Sequence, residues 1–187
     1  MPRLFTAIEV PAAIGADLSM LRGGLAGARW IDPENYHVTL RFIGDVDDTL
    51  GADILSMLGQ IRRHGFDLSL EGLGQFGGNR PRAVFAAVKA IPALLDLQAE
   101  LERIMQRLGF SADRAYKPHV TLARLREASS RQVADYLSMH GGYRSATFHV
   151  PRFVVLSSRD SVGGGPYVLE AAYPLERDPI RLNQSDR

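Results

Sequence analysis

The tetrapeptide His-Val-Thr-Leu occurs twice in this chain, at residues 37–40 and at residues 119–122. Each copy opens a stretch of apolar and β-branched residues, which predicts a β-strand. Because side chains alternate between the two faces of a strand, the histidine and threonine of each copy share one face, and the valine and leucine point into the core. The fold must therefore contain two strands that each carry a His-Thr pair on one face and buried apolar residues on the other.

The alternation also assigns faces to the residues near these pairs. In the first strand it places Arg41 beside His37 and Thr39, and it turns Phe42 toward the core. In the second strand we expect the same geometry for the histidine and the threonine.

The two strands occupy equivalent places in the two halves of the chain. Each half offers a helix, a strand with the tetrapeptide, a second helix and then a pair of strands. Apolar residues at helical spacing predict the helices at residues 11–25, 49–65, 92–110 and 129–141. This mixture predicts an α+β fold with antiparallel sheets. We expect one bilobal domain over residues 1–175, with lobes at 1–90 and 91–175 between which strands can cross, and a polar tail at 176–187.

Composition narrows the classes of function that the chain can perform. The 187 residues include no cysteine, which excludes disulfides, thiolate zinc sites and a cysteine nucleophile. The net charge is only +1, so the protein cannot coat nucleic acid by bulk electrostatics, and any contact with RNA must be local. No apolar run is long enough for a membrane span, and we expect a cytoplasmic protein with no membrane partner.

If the halves pack about a rough two-fold axis, the two His-Thr pairs face each other across a cleft. Two imidazoles then suit acid–base chemistry, in which one takes a proton from a nucleophile and the other protonates a leaving group. Threonine hydroxyls and an arginine fork can bind phosphate oxygens. Because neither strand carries a carboxylate on the histidine face, we expect no metal and no cofactor. These side chains suit in-line displacement at a phosphodiester whose nucleophile or leaving group is a ribose hydroxyl.

The segments HVTLRFIGD and KPHVTLAR, behind an N-terminal RLFTAIEVP, resemble the bacterial RNA 2′,3′-cyclic phosphodiesterase family, historically called 2′-5′ RNA ligases, of the 2H phosphoesterase superfamily. The resemblance covers residues 3–175. It implies two pseudo-symmetric lobes, with antiparallel sheets lining a central cleft and helices outside. It also implies metal-independent hydrolysis of a 2′,3′-cyclic phosphate, on an RNA 3′ end or a nucleotide, to a 2′-phosphate, with a weak reverse ligation.

The resemblance assigns roles to the four side chains of the repeated motif. His37 would be the general acid that protonates the ribose O3′ leaving group, and His119 would be the general base that activates water. Thr39 and Thr121 would hold phosphate oxygens. We expect no obligatory protein partner for this chemistry.

Four further residues are candidates for the site. The resemblance implies that Arg124 contacts phosphate and lies over the base, while Phe5 stacks on the other side of the base. Strict alternation, however, places Arg124 on the face opposite His119, unless the strand bulges. If the strand is regular, Arg41 is the better phosphate contact. Lys117 precedes the second motif and is a candidate for the rim of the cleft.

Two other functions fit the same motifs. The substrate could instead be a 2′-5′-linked oligonucleotide or another small cyclic phosphate. The protein could also be a catalytically silent module that binds RNA ends, which the intact histidines and threonines argue against.

Overall fold

The two tetrapeptides form adjacent strands at the centre of one antiparallel sheet. The computed structural model describes residues 3–158 and 164–177, and within them the chain forms ten strands and four α-helices. The strands are β1 (Arg3–Glu9), β2 (Arg29–Trp30), β3 (His37–Asp45), β4 (Phe66–Leu68), β5 (Leu70–Phe76), β6 (Ala83–Val88), β7 (His119–Arg124), β8 (Phe148–Val150), β9 (Arg152–Ser158) and β10 (Val168–Pro174). The helices are α1 (Ala12–Ser19), α2 (Asp48–Leu58), α3 (Pro92–Arg107) and α4 (Ser130–His140). The predicted α+β class with antiparallel sheets is confirmed.

All four helices form at the predicted stretches, but α1 ends at Ser19 and α2 at Leu58, before the predicted ends at residues 25 and 65. In α3, Leu94, Leu97 and Leu101 recur at three- and four-residue intervals and are fully buried, because this spacing places them on one face of the helix. Helix α4 begins with a capping box, in which Ser129 accepts from the backbone of Gln132 and Gln132 accepts from the backbone of Ser129. None of the helices in the described ranges is long and apolar enough to cross a bilayer.

The main sheet has the strand order β10-β9-β1-β3-β7-β6-β5, and β2 pairs with the outer part of β7. Strands β3 and β7 meet through a single residue pair, Val38 with Val120. The sheet therefore has two sides joined at this narrow centre. Each side combines strands from both halves of the chain, since β9 and β10 extend the β1–β3 side, while β5 and β6 extend the β7 side.

Each tetrapeptide ends in a β-bulge. In β3, the register against β1 jumps from Thr39 to Arg41, so Leu40 is the extra residue. In β7, the register against β6 jumps at the same place in the motif, and Leu122 is the extra residue. A bulge shifts the alternation of side chains by one position. The two strands consequently share one burial pattern, in which the leucine and the residue after it are both buried.

The bulges correct the predicted orientation of two residues in β3. Phe42, predicted to face the core, is 60% exposed, and it lies on the histidine side of the strand. Arg41, predicted to lie beside His37, is instead turned inward and is only 7% exposed.

The buried Arg41 ties β3 to α3 and to the segment that leads into the second motif. Its guanidinium donates to Glu102 at 2.5 Å and to the carbonyl oxygens of Phe42 and Ser111 at 2.6 and 2.7 Å. The Asp113 carboxylate lies 3.7 Å away. A buried charge is tolerated when its hydrogen bonds are satisfied in this way. Arg41 therefore positions the segment before β7 relative to β3.

Two smaller features complete the fold. After α2 the chain forms β4 and β5, and β4 pairs with β8 in a separate two-stranded sheet. Beyond β10, the N–H of Glu176 donates to the carbonyl oxygen of Arg63, and the carbonyl oxygen of Glu176 accepts from Gly65. Most of the predicted polar tail, at residues 178–187, lies outside the described residues.

We expect Arg41→Met to destabilise the protein by about 3 kcal/mol, because it removes the buried guanidinium that bonds Glu102 and the carbonyl oxygens of Phe42 and Ser111. Urea unfolding monitored by circular dichroism measures this change. The matched control is Arg107→Met on the exposed face of the same helix as Glu102, which should change stability by less than about 0.5 kcal/mol. An equal loss in both variants would show that the Arg41 ion pair does not hold the fold together.

Candidate active site

The four polar side chains of the two tetrapeptides line one cleft of about 410 Å³. His37 and Thr39 come from β3, and His119 and Thr121 come from β7, and all four are half-buried. They face the same space because the two strands are antiparallel neighbours that meet at the centre of the sheet. The structure thus brings together the residues that the repeated motif predicts.

Both imidazoles are held in the same way by the backbone. Nδ1 of His37 lies 2.8 Å from the carbonyl oxygen of Asn35, and Nδ1 of His119 lies 2.6 Å from the carbonyl oxygen of Lys117. Since a carbonyl oxygen only accepts, Nδ1 must carry a hydrogen in each ring. The proton that is gained or lost is therefore the one on Nε2. A neutral ring can act as a base there, and a charged ring can act as an acid.

Aromatic side chains support each imidazole. The ring of His37 lies 5.1 Å from the ring of Phe5 and 5.1 Å from the ring of Tyr167, which it meets edge-on. The ring of His119 lies 4.8 Å from Phe76 and 5.2 Å from Phe85. Such contacts restrict the rotation of both imidazoles, so that each presents Nε2 from a fixed position.

Burial and nearby cations shift both histidines in the same direction. Burial lowers the pKa of His37, and the charges of His119 and Arg124 lower it further, against the opposing effect of the bond to Asn35. Burial also lowers the pKa of His119, and Lys117 and Arg124 add to this effect, against the bond to the Lys117 carbonyl. The cleft therefore favours neutral imidazoles, and the positive charges of Arg124 and Lys117 attract an anion to it.

Arg124 lines the cleft because of the bulge in β7. The prediction that placed it on the face opposite His119 assumed a regular strand, and the extra residue Leu122 overturns that assumption. Arg41, the alternative, does not line this cleft, and its guanidinium is bound to Glu102 and to backbone carbonyls.

Phe5 and Lys117 lie near the histidines in ways that the motif did not specify. Phe5 lines the cleft, but it is only 4% exposed and packs beneath His37. Lys117 lies at the rim beside His119, with its ammonium 5.1 Å from the centre of the Phe85 ring and 5.5 Å from that of Phe76. Lys117 thus places a positive charge close to His119 without entering the cleft.

Sequence reasoning missed the exposed aromatic residue of the cleft. Phe42 follows His37 by five residues, as Arg124 follows His119, so the paired bulges bring both residues to equivalent positions. The sequence could have indicated the position of Phe42, because the bulge considered for the second motif applies equally to the first. Tyr167 was also missed, since it enters from a distant part of the chain.

The remaining histidines lie elsewhere. His149 bonds to Asp67 between β8 and β4, His140 packs on Tyr136, and His64 lies near Glu176. Within the part of the chain that the structure describes, no three histidine, aspartate or glutamate side chains are grouped as metal ligands would be.

A cleft lined by two histidines and two threonines suits acid–base chemistry at a phosphodiester, and this is the class of site that the structure defines. The sequence model of the 2′-5′ RNA ligase superfamily matches residues 11–161. The RNA 2′,3′-cyclic phosphodiesterase of Aeropyrum pernix is 39% identical over 118 residues, covering 59% of this chain and 67% of that protein. The protein of the same name in Escherichia coli is 34% identical over 132 residues, covering 68% of this chain and 73% of that protein.

The fold agrees with these matches. The structure of E. coli LigT complexed with 3′-AMP superposes with a TM-score of 0.76 at 27% identity, covering 95% of this chain and all of that one. The chain belongs to the 2′-5′ RNA ligase superfamily, as its two His-x-Thr motifs indicated.

We expect both imidazoles to titrate below pH 6.5 in the free protein, because burial and cations lower both pKa values. Lys117→Gln should raise the pKa of His119 alone, whereas Arg124→Gln should raise the pKa of both histidines. Titration of the imidazole signals by NMR measures these shifts. Arg126→Gln, which removes an exposed arginine near the end of β7, is the control and should leave both values unchanged. Values at or above 6.5 in the free protein would contradict the electrostatics of the cleft.

Proposed function

We propose that this protein hydrolyses 2′,3′-cyclic phosphate ends of RNA or nucleotides to 2′-phosphates by two-histidine acid–base catalysis. The observation that carries the proposal is the matched pair of histidines, which line one cleft with Nδ1 bound to a carbonyl in both. The curated relatives named as RNA 2′,3′-cyclic phosphodiesterases support the choice of substrate.

The reaction needs one proton acceptor and one proton donor on opposite sides of the phosphorus. Nε2 of His119 takes a proton from water as the water oxygen bonds to phosphorus. The bond from phosphorus to O3′ breaks, and Nε2 of His37 gives its proton to O3′. The 2′-phosphate stays on the ribose, and the protons balance without a metal or a covalent intermediate.

The other residues of the motif stabilise the charge that develops on the phosphate. The hydroxyls of Thr39 and Thr121 donate to its two non-bridging oxygens from opposite walls of the cleft. Arg124 adds a positive charge and a fork that matches phosphate geometry. The anionic substrate in turn raises the pKa of His37, which favours the protonated form that the general acid requires.

The base of the terminal nucleotide would lie between Phe42 and Arg124. Phe42 offers an exposed aromatic face in the cleft, whereas the ring of Phe5 is buried under His37. Base stacking on such a ring is sequence-tolerant, which fits an enzyme that acts on many RNA ends. The near-neutral net charge supports binding of only the last nucleotides of the strand. We further propose that the protein acts in the cytoplasm.

We expect His37→Ala and His119→Ala each to lower kcat for release of the 2′-phosphate by about 10²–10⁴-fold, because each removes one partner in proton transfer. Chromatography of products from a dinucleotide with a 2′,3′-cyclic phosphate measures this loss, and chelators should not change the wild-type rate. His140→Ala, at the C-terminal end of α4 and outside the cleft, is the control and should retain activity. If the wild-type protein binds the cyclic end without turnover, the hydrolase proposal is wrong.

The pH dependence of kcat/KM tests whether His119 titrates in the reaction. A neutral general base and a protonated general acid give a bell-shaped profile. Lys117→Gln raises the pKa of His119, so the limb that reports His119 should move to higher pH while the other limb stays in place. A profile in which neither limb moves would show that the protonation of His119 does not limit the reaction.

A further inference from the structure

The two strands that carry the motifs are not paired along their whole length. Strand β3 continues past the Val38–Val120 pair, whereas β7 begins at His119. Beside them lies a second cavity of about 400 Å³, whose walls include residues 39–42 of β3 and the segment before β7 at residues 113–117. Because the two walls of a cavity do not pack against each other, packing alone does not set their separation.

Tyr116 bridges the two walls of this cavity with a hydrogen bond. Its hydroxyl donates to the backbone carbonyl of Thr39, 77 residues away in the chain, at 3.0 Å. Its ring packs against the hydrophobic core, which fixes the direction of the hydroxyl. Burial raises the pKa of Tyr116, so the hydroxyl keeps its proton and donates over the whole pH range in which the histidines titrate.

The same segment also holds the imidazole of the second motif. The residue after Tyr116 is Lys117, whose carbonyl oxygen lies 2.6 Å from Nδ1 of His119. One short stretch of chain therefore binds His119 through its backbone, and it binds the strand of His37 and Thr39 through the tyrosine side chain. A displacement of this stretch would move one histidine relative to the other.

We propose that Tyr116 is a positioning residue, whose hydrogen bond to the Thr39 carbonyl sets the separation of the two histidines. This inference rests on the proposed function, since that reaction requires His37 and His119 on opposite sides of one phosphorus. In-line transfer tolerates little error in the placement of the two groups. A hydrogen bond that joins the two motifs directly reduces that error.

Arg41 makes another link between the same walls, but it acts farther from the histidines. Its guanidinium donates to Glu102 of α3 and to the carbonyl oxygen of Ser111, which lies well before the second motif in the chain. Arg41 therefore holds the start of this stretch to the body of the fold. Tyr116 instead lies close to the second histidine in the chain and bonds the first motif itself.

A direct catalytic role for the hydroxyl is the alternative, and the geometry argues against it. Tyr116 lines the second cavity and does not line the cleft that the two histidines share. Its hydrogen is also engaged by the Thr39 carbonyl. If Tyr116→Phe reduced the bell-shaped pH profile to a single limb, the hydroxyl itself would transfer a proton and the inference would be wrong.

Tyr116→Phe removes the hydroxyl and keeps the ring. We expect kcat for hydrolysis of the cyclic end to fall by about tenfold, because misplaced proton-transfer groups raise the barrier. KM should change by less than about twofold, since the proposed contacts of Phe42 and Arg124 with the terminal nucleotide remain. Initial rates over a range of substrate concentrations measure both constants.

The matched control is Tyr136→Phe, which removes the same kind of hydrogen bond at a distance from the site. The hydroxyl of Tyr136 donates to the carbonyl of Leu21 at 2.7 Å, and burial raises its pKa to about 12. Tyr136 lines neither cavity, so this variant should keep the wild-type kcat. An equal fall in both variants, or a wild-type kcat in Tyr116→Phe, would overturn the inference.

Titration of the imidazoles by NMR gives a readout that does not depend on turnover. In the wild type the charge of His119 contributes to lowering the pKa of His37. If the loss of the Tyr116 hydroxyl lets the two strands separate, this effect weakens and water reaches the ring more easily, so the pKa of His37 should rise. Tyr136→Phe should leave it unchanged. Unfolded molecules give separate signals, so a loss of stability alone does not produce this shift.

The two readouts separate this inference from the proposed function. If the wild type releases no 2′-phosphate but the pKa of His37 rises in Tyr116→Phe, the proposed reaction is wrong and the positioning of the histidines by Tyr116 stands. If the pKa of His37 is the same in the wild type and in Tyr116→Phe, the inference is wrong, whether or not the cyclic end is hydrolysed.

Discussion

The pairing of Val38 with Val120 is the contact on which the geometry of the site depends. It joins the two sides of the main sheet, and it is the one residue pair that β3 and β7 form. Because the histidine of each motif is the neighbour of this valine in the chain, the same contact fixes both imidazoles at the centre of the sheet. The proposed proton transfer requires this placement, since neither side of the sheet carries both histidines.

The bulge at the end of each motif is the second structural device. It buries the residue after the leucine and returns the following residue to the cleft, so one local distortion yields Phe42 on one wall and Arg124 on the other. Bulges are frequent beside active sites because they redirect a side chain without breaking the sheet. In this protein the repeated distortion supplies an aromatic surface and a cation from positions that correspond to each other.

Charge is concentrated where the chemistry needs it, although the chain as a whole is nearly neutral. Arg124 lowers the pKa of both histidines, and Lys117 lowers the pKa of His119. Arg41, which carries the same charge, is instead paired with Glu102 and stabilises the fold. The two arginines differ in role because their surroundings differ. A buried guanidinium such as that of Arg41 must be paired, whereas one that lines a cleft, such as that of Arg124, can contact a substrate.

The sequence by itself determined the class of fold, the helices and the four His-Thr side chains, since periodicity and a repeated motif are local properties of the chain. It also determined the family. Only the tertiary structure decided that Arg124 enters the cleft, that Arg41 and Phe42 exchange their expected faces, and that Phe5 lies beneath an imidazole. Bulges arise from the register between strands that are distant in the chain, and burial depends on what packs against each face, so neither follows from alternation within one strand.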